Sequence, residues 1–207
     1  MSEKANFSNI YTFYDLINTV LTFGFDKSWR EKAVSNLIGK SVLDLGSGTG
    51  AAYEQLLNFE TTAIDPDKKM LELNAFDNKV QGSAENLPFE DNSFDNVFCS
   101  FVWRNVSDTN IALNEVYRVL RPGGRFILLD MTRPKNSFLR MLHKIGTFKV
   151  LHLIGLITFN LKEYRFLYKS LDFYPQPEEH LNKDNFIDLK IERMGVFNFV
   201  YLAVFTK

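Results

Sequence analysis

Val42-Leu43-Asp44-Leu45-Gly46-Ser47-Gly48-Thr49-Gly50 decides how this chain is read. Its first half is an apolar run of the kind that forms a strand buried on both faces. Three glycines two residues apart then predict a turn, and a helix follows from Ala51. Asp65-Pro66 comes 19 residues after Gly46 and ends the next apolar segment. Strand, glycine turn, helix start and terminal acid together are how an open parallel sheet holds an adenosine-containing ligand.

Working outward, strands are expected at 41–45, 61–64, 79–81, 94–101 and 124–130. Helices are expected at 51–57, 68–74 and 111–120. Strand and helix alternate, which predicts right-handed crossovers and a parallel sheet. Upstream, 7–37 reads as helical with a break at Phe23-Gly24-Phe25, and 29–37 is a helix stopped by Gly39. Downstream, 138–171 breaks the rhythm. Phe138, Met141, Leu142 and Ile145 follow helical spacing, so one or two inserted helices are expected. A helix at 178–187 and a hairpin-like strand pair at 188–194 and 197–205 complete the chain. The expectation is one α/β domain over 1–207: a seven-stranded, mostly parallel Rossmann-like sheet with helices on both faces. Residues 1–39 form its N-terminal helical cap and 134–175 an inserted helical lid.

Composition sets outer bounds. The 207 residues suffice for one domain with a sizeable core. A net charge of −1 provides no field to recruit nucleic acid. The one cysteine, Cys99, has no internal partner, which fits a reducing compartment. Met1-Ser2-Glu3-Lys4-Ala5-Asn6 lacks the pattern of a signal peptide, and the longest apolar run, 150–159, is too short to span a bilayer. A cytoplasmic protein is expected. Twenty Phe and eight Tyr suit either a dense core or an apolar ligand pocket. No metal is expected.

The glycine loop differs from a dinucleotide site. That site needs G-x-G-x-x-G and room for a pyrophosphate. Here the third glycine comes one residue early, and the Asp44 carboxylate would repel phosphate. A ligand with a cationic head fits better, and S-adenosylmethionine carries a sulfonium and an ammonium with no phosphate. Gly46 and Gly48 would let the backbone approach it closely. Asp44 would either face the ligand or cap the loop's own amides. Asp65 is spaced to accept from both ribose hydroxyls. The loop Gly82-Ser83-Ala84-Glu85 would hold the adenine edge.

With these residues in view, the chain resembles the class I S-adenosylmethionine-dependent methyltransferases, and among them the C-methyltransferases of ubiquinone and menaquinone biosynthesis. The resemblance rests on Tyr14-Asp15-Leu16-Ile17-Asn18, Leu43 to Gly50, Ala84-Glu85-Asn86-Leu87-Pro88-Phe89, Phe101 to Asp108, Tyr117 to Gly124, and Tyr164 to Ser170. It runs from about residue 7 to the last strand. Arg104-Asn105 and Tyr164-Arg165 are its most particular pieces. It implies that Thr49, Asp65, Ser83, Ala84 and Ser100 contact S-adenosylmethionine. It also implies an apolar acceptor such as a prenylated quinol. Departures are Ser47 for the family's usual glycine, Ala51 for its usual acid, and Trp103 for a smaller apolar residue.

Methylation of a ring carbon needs a neighbouring hydroxyl to lose its proton, and a cation beside the oxyanion that results. Arg104 follows the fourth strand at the edge where such sheets bind ligands. It stays protonated, so it would steady the oxyanion rather than act as base. Asn105 would orient the hydroxyl and Tyr14 would close the pocket. The alternative for Arg104 is a pair with a surface acid such as Asp108. His143 and His152 are proton-acceptor candidates that read better as core or solvated histidines. Between 133 and 169, eight Lys and Arg face one acid, Glu163, among Leu, Ile and Phe. That pattern fits either the solvated face of a lid or a surface resting on anionic lipid, peripheral to the inner face of the membrane. Other readings are methylation of another small acceptor at O, N or C, a non-catalytic S-adenosylmethionine-binding protein, and a nicotinamide-dependent reductase. DNA methylation is disfavoured, since an Asn-Pro-Pro-Tyr kind of motif is missing.

Overall fold

The computed structural model describes residues 19–20, 22, 24–157, 161–181 and 185–207. Most of the helical cap expected at the N-terminus, Tyr14 included, lies outside the described residues. The first helix lying wholly within them is α1, Asp26–Val34.

The strands are β1 (Ser41–Leu45), β2 (Glu60–Asp65), β3 (Lys79–Gln81), β4 (Phe94–Ser100), β5 (Leu120–Met131), β6 (Asp188–Met194) and β7 (Val200–Thr206). They form one seven-stranded sheet in the order β3-β2-β1-β4-β5-β7-β6. The first five are parallel, and β7 runs antiparallel to both β5 and β6. The chain starts at β1 in the middle and winds first one way, then the other. The crevice at the carboxyl ends of β1 and β4 therefore opens where strand order reverses.

Alternation along β4 explains why the sheet is covered on both faces. Val97 and Cys99 pack with Leu43, Phe126, Leu128 and Ala203 on one face. Phe98 packs with Val42, Ala63, Ile127, Leu129 and Leu202 on the other. All of these but Leu202 are wholly buried. Each large apolar side chain so buried contributes about 1.5–3 kcal/mol relative to exposure. Burial also pushes the Cys99 thiol well above its ordinary pKa, with the charges of Asp130 and Asp44 adding to the effect. It is a core residue, not a nucleophile.

Between the strands run α2 (Tyr53–Leu56), α3 (Lys68–Leu73) and α4 (Thr109–Val119). Asp67 caps α3, accepting from Lys69 N, and Asp108 caps α4, accepting from Asn110 N and Ile111 N. α2 is shorter than the 51–57 expected, because the glycine loop keeps turning through Gly50, whose carbonyl accepts from Tyr53 N at 2.9 Å. After β5 come α5 (Ser137–Ile157) and α6 (Leu161–Phe173), in the 138–171 interruption where one or two helices were expected. Arg133 anchors them. Its guanidinium bonds Asp172 on α6 and Thr147 on α5, both at 2.7 Å, and lies over the Tyr168 ring.

The helix expected at 178–187 is corrected to a single turn, α7 (Pro177–His180). The chain leaves it at Leu181 in an extended conformation. Phe186 is then buried edge-on against Tyr117 and beside Phe205, 5.2 and 5.0 Å between centroids. Filling that core site outweighs continuing a polar helix.

Candidate functional site

Four strand ends line one edge in the order β3, β2, β1, β4. They carry Ser83-Ala84, Asp65, Asp44 with the glycine loop, and Ser100. Adjacent strands lie about 4.8 Å apart, so this row spans about 14 Å.

The glycine loop is braced from both sides. Gly46 N and Ser47 N donate to Ile64 O at the end of β2. Gly46 sits at φ 71°, and a Cβ there would lie 2.5 Å from Val102 Cγ1, so only glycine fits. Asn74 donates to Gly48 O at 3.0 Å from beyond α3. Asp65 Oδ2 accepts from Gly48 N at 3.0 Å and Oδ1 from Asp67 N at 2.8 Å. The acid thus shapes the loop. Each carboxylate oxygen has a second lone pair for a further donor. Burial raises Asp65 to about 6, against the opposing pull of those backbone amides.

Asp44 is 2% exposed and its Oδ2 has no hydrogen-bond partner. The amides of Gly46, Ser47 and Gly48 turn to Ile64 and Asp65 instead, so Asp44 does not cap them. Burial raises it to about 7, Arg30 pulls it down, and Asp65 pushes it up. A buried carboxylate oxygen without a donor is costly. Three residues on, the Ser47 hydroxyl is also buried without a partner. An ammonium would donate to the Asp44 oxygen and a sulfonium would offset its charge, whereas a pyrophosphate would do neither. The residues therefore fit S-adenosylmethionine.

Two raised carboxylates imply a proton linkage whose sign is fixed. Asp44 holds its proton more tightly folded than unfolded. Its contribution to stability is greatest below about pH 4 and is lost as pH rises toward 7. A cationic ligand needs the ionised form. Affinity for S-adenosylmethionine is expected to rise between pH 5.5 and 7.5, by up to about tenfold per unit for each linked proton, in calorimetric titrations. Asp44→Asn should flatten that profile; an unchanged slope would place the linkage elsewhere.

Ser83 is half-buried and bridged to Asn86, while Ala84 is buried. Gly82 N donates to Asp65 O at 3.1 Å, which holds this loop beside the ribose-binding candidate. Thr49 is half-buried in the glycine loop. Ser100 ends β4, and Phe101 follows at φ 61°, fully buried. A bulky residue with positive φ costs of order 1–3 kcal/mol and marks a constrained turn at the site.

That turn leads into a 3-10 turn, Trp103–Asn105. Arg104 and Asp130, the latter near the end of β5, form a buried ion pair, their side chains 2% and 0% exposed. The guanidinium bonds Asp130 Oδ1 and donates to Phe101 O, while Arg104 N donates to Asp130 Oδ2 at 2.9 Å. Its acid is thus Asp130, not Asp108. Arg104 is fixed by its own side chain rather than extended toward solvent. Asn105 Oδ1 and Trp103 Nε1 are buried in this turn without partners.

Sequence reasoning missed two groups here. Tyr174 bonds His180 Nε2, and His180 Nδ1 meets Gln176 O at 2.8 Å. A carbonyl only accepts, so Nδ1 carries the proton and Nε2 accepts from the phenol. Burial lowers the His180 pKa. The second group is Arg30 on α1, 2% exposed, with Nη1 2.7 Å from Asp26 Oδ2 and Nε 3.5 Å from Ser100 Oγ. Neither belongs to a motif.

His143 is half-buried against Arg133. Its Nδ1 faces the Arg133 guanidinium at 3.2 Å, so Nδ1 accepts, and burial with that positive charge lowers its pKa to about 4. His152 is exposed and stacked on Phe148.

The sequence model of the ubiE/COQ5 methyltransferase family matches residues 3–188. A ubiquinone/menaquinone biosynthesis C-methyltransferase UbiE of Rickettsia bellii is 37% identical over 194 residues, covering 84% of this chain and 78% of the relative. The protein of the same name from Rickettsia akari is 34% identical over the same shares. Among solved structures, a SAM-dependent methyltransferase, possible histamine N-methyltransferase, from Thermotoga maritima aligns at a TM-score of 0.66 with 21% identity, over 98% of this chain and 100% of that one. An S-adenosyl-L-methionine-dependent methyltransferase described for Methanococcus maripaludis aligns at 0.62 with 22% identity, over 100% and 97%. At those identities the structural likeness speaks for the fold alone.

Proposed function

Since this chain belongs to the ubiE/COQ5 methyltransferase family, we propose that it methylates a ring carbon of a prenylated quinol in respiratory quinone biosynthesis, using S-adenosylmethionine. The observation that carries the donor is the buried, partnerless Asp44 Oδ2 in a glycine loop beside Asp65. The acceptor is supported by the names of the relatives, 34–37% identical over most of the chain.

When bound, S-adenosylmethionine supplies a methyl group on a sulfonium, open to in-line displacement. The chain's part is to align the acceptor and exclude water, which can supply about 7–11 kcal/mol in favourable systems. The Gly46–Gly50 loop and Asp65 would fix the nucleoside. Arg104, locked by Asp130 and Phe101 O, would present a fixed positive charge to the acceptor oxygen, and a charge that need not reorganise is the most effective kind. Asn105 Oδ1 would accept a hydrogen bond from the acceptor's hydroxyl and orient it. Tyr14 remains proposed as a pocket wall.

A second element of the proposal concerns access. No helix among the described residues is long and apolar enough to cross a membrane. Yet α5 exposes Phe138, Met141, Leu142, Ile145, Leu153 and Leu156 at helical spacing, with Lys149 exposed among them. Lys135 and Lys144 flank this stripe, partly engaged by Glu178 and Asp172. An apolar stripe edged by cations suits the surface of an anionic bilayer, where a prenylated acceptor resides.

One experiment addresses both. The purified protein is given S-adenosylmethionine with demethylated menaquinol, a ubiquinol precursor or a soluble phenol, in neutral or anionic vesicles. Carbon methylation of a prenylated quinol, faster on anionic vesicles, is expected. Arg104→Ala should cut turnover at least about 100-fold while changing cofactor affinity little. Transfer to the soluble phenol alone would favour a different small acceptor. Equal rates on both vesicle types, with no sedimentation on either, would remove the membrane contact.

A further inference from the structure

We propose that Tyr174 and His180 are positioning residues for methyl transfer: the neutral imidazole holds the Tyr174 proton outward, so that no second donor competes with Arg104 for Asp130. This rests on the role proposed above for Arg104 and extends it to a pair beyond the two lid helices.

Tyr174 follows α6 and His180 ends α7. The Tyr174 hydroxyl bonds His180 Nε2, and the two rings meet edge-on, 4.5 Å between centroids. The direction of that bond is set from the other side of the imidazole. Nδ1 donates to Gln176 O at 2.8 Å, so Nε2 offers only a lone pair and the phenol must donate. Gln176 is itself held in place. Its Nε2 donates to Thr132 Oγ1 at 3.3 Å and to Arg133 O at 3.1 Å, and its Oε1 accepts from Arg193 at 2.9 Å. Tyr174 packs against the core face that contains Tyr201. Tyr201, Asp130 and Arg104 are all close enough to act on its phenol. Tyr201 and Asp130 stand opposite each other on β7 and β5, both wholly buried. Asp130 is already engaged: Oδ1 accepts from the Arg104 guanidinium and Met131 N, and Oδ2 from Arg104 N.

A proton on His180 reverses this chain. One proton from solvent adds to Nε2, which becomes a donor and gives its N–H to the Tyr174 oxygen. The phenol's own proton then swings away from the imidazole, toward Tyr201 and Asp130. One N–H bond forms and no covalent bond breaks. A hydroxyl turned toward Asp130, with an imidazolium behind it, draws on the carboxylate that locks Arg104, and the fixed charge at the acceptor oxygen loosens. Burial lowers the His180 pKa and so favours the neutral form, while Asp130 on β5 and Glu179 and Glu178 on α7 oppose that shift. Glu178 is answered by Lys135 and Arg193. Burial pushes the Tyr174 and Tyr201 phenols and the Cys99 thiol upward. Of the imidazole, the phenols and the thiol, His180 is therefore the one that changes charge below neutral pH.

The test is turnover of a prenylated quinol from about pH 5 to 8.5, with S-adenosylmethionine and quinol both saturating so that cofactor affinity drops out. Wild-type kcat should fall on the acid side along a one-proton limb, about tenfold per pH unit. His180→Gln keeps an acceptor for the phenol and does not titrate, and Tyr174→Phe has no proton to swing, so each should lose that limb. At about pH 8, His180→Ala should cut kcat roughly 5- to 20-fold while KM for the quinol and affinity for S-adenosylhomocysteine change less than about threefold. His180→Gln should restore most of that loss, and so should adding Tyr174→Phe to His180→Ala. A limb unchanged in both His180→Gln and Tyr174→Phe, or additive losses in the double variant, would make the pair a structural brace and overturn the proposal. Thermal scans report folding; should one of those two single variants not fold, the limb of the other decides. If wild-type protein methylates no quinol, the acceptor reading fails, and the ¹⁵N resonances of the Arg104 guanidinium decide the inference over the same pH range. A shift that tracks the His180 titration in wild type and is absent from His180→Gln supports it, and a pH-independent signal overturns it.

Discussion

Asp65→Ala is expected to weaken binding of S-adenosylhomocysteine by about 10²–10³-fold. One carboxylate serves two ends. It accepts from Gly48 N and Asp67 N, which sets the shape of the glycine loop and the start of α3. Its remaining lone pairs are the proposed acceptors for the ribose hydroxyls. Hydrogen bonds to a charged group contribute about 1.5–3 kcal/mol each, so losing two costs about 3–6 kcal/mol of binding, and the lower end of that range corresponds to about 10²–10³-fold. Asp65→Asn should fall between wild type and Ala, because an amide keeps one acceptor and brings an unwanted donor toward Gly48 or Asp67. Calorimetry at pH 8, above the raised value of about 6, avoids mixing protonation into the comparison. A loss below threefold in both variants would mean that the ribose lies elsewhere.

Asp130→Ala should be the most destabilising single change at the site. It removes the counter-charge of a guanidinium whose side chain is 2% exposed, and it removes the acceptor for Arg104 N and Met131 N. Breaking a buried pair from one side costs about 3–5 kcal/mol. For a chain of this length that lowers Tm by roughly 6–20 °C. The double variant Asp130→Ala/Arg104→Met should recover much of the loss, since no uncompensated charge remains buried. Methyl transfer should not recover with it. Thermal scans and single-turnover rates on the three proteins separate the two roles. A double variant as unstable as Asp130→Ala would show that the pair is not what holds the turn.

The central sheet was legible because a strand buried on both faces must be an apolar run, and 41–45 is read from that alone. The final pair was legible as two close strand patterns, 188–194 and 197–205, and between them Gly195 turns with a positive φ of 83°. Helix ends were less so. The 51–57 reading overran because three glycines prolong the turn. The 178–187 reading overran because the burial of Phe186 is a tertiary fact with no local signature. At the site, Asp44, Gly46 and Asp65 could be found because their roles are tied to short spacings. Arg104 could be named, but Asp130 stands 26 residues downstream and meets it only through the pairing of β4 with β5. Arg30 carries no spacing rule at all: it reaches the crevice through the way α1 lies against the end of β4.

The most direct measurement is a crystal structure with S-adenosylhomocysteine bound. The expected result has its nucleoside over Gly46–Gly50, both ribose hydroxyls on Asp65, and the α-ammonium on Asp44 Oδ2. A nucleoside lodged away from β1 and β2, or NAD taking the crevice with its pyrophosphate on the glycine loop, would contradict the methyl-donor site described for this chain.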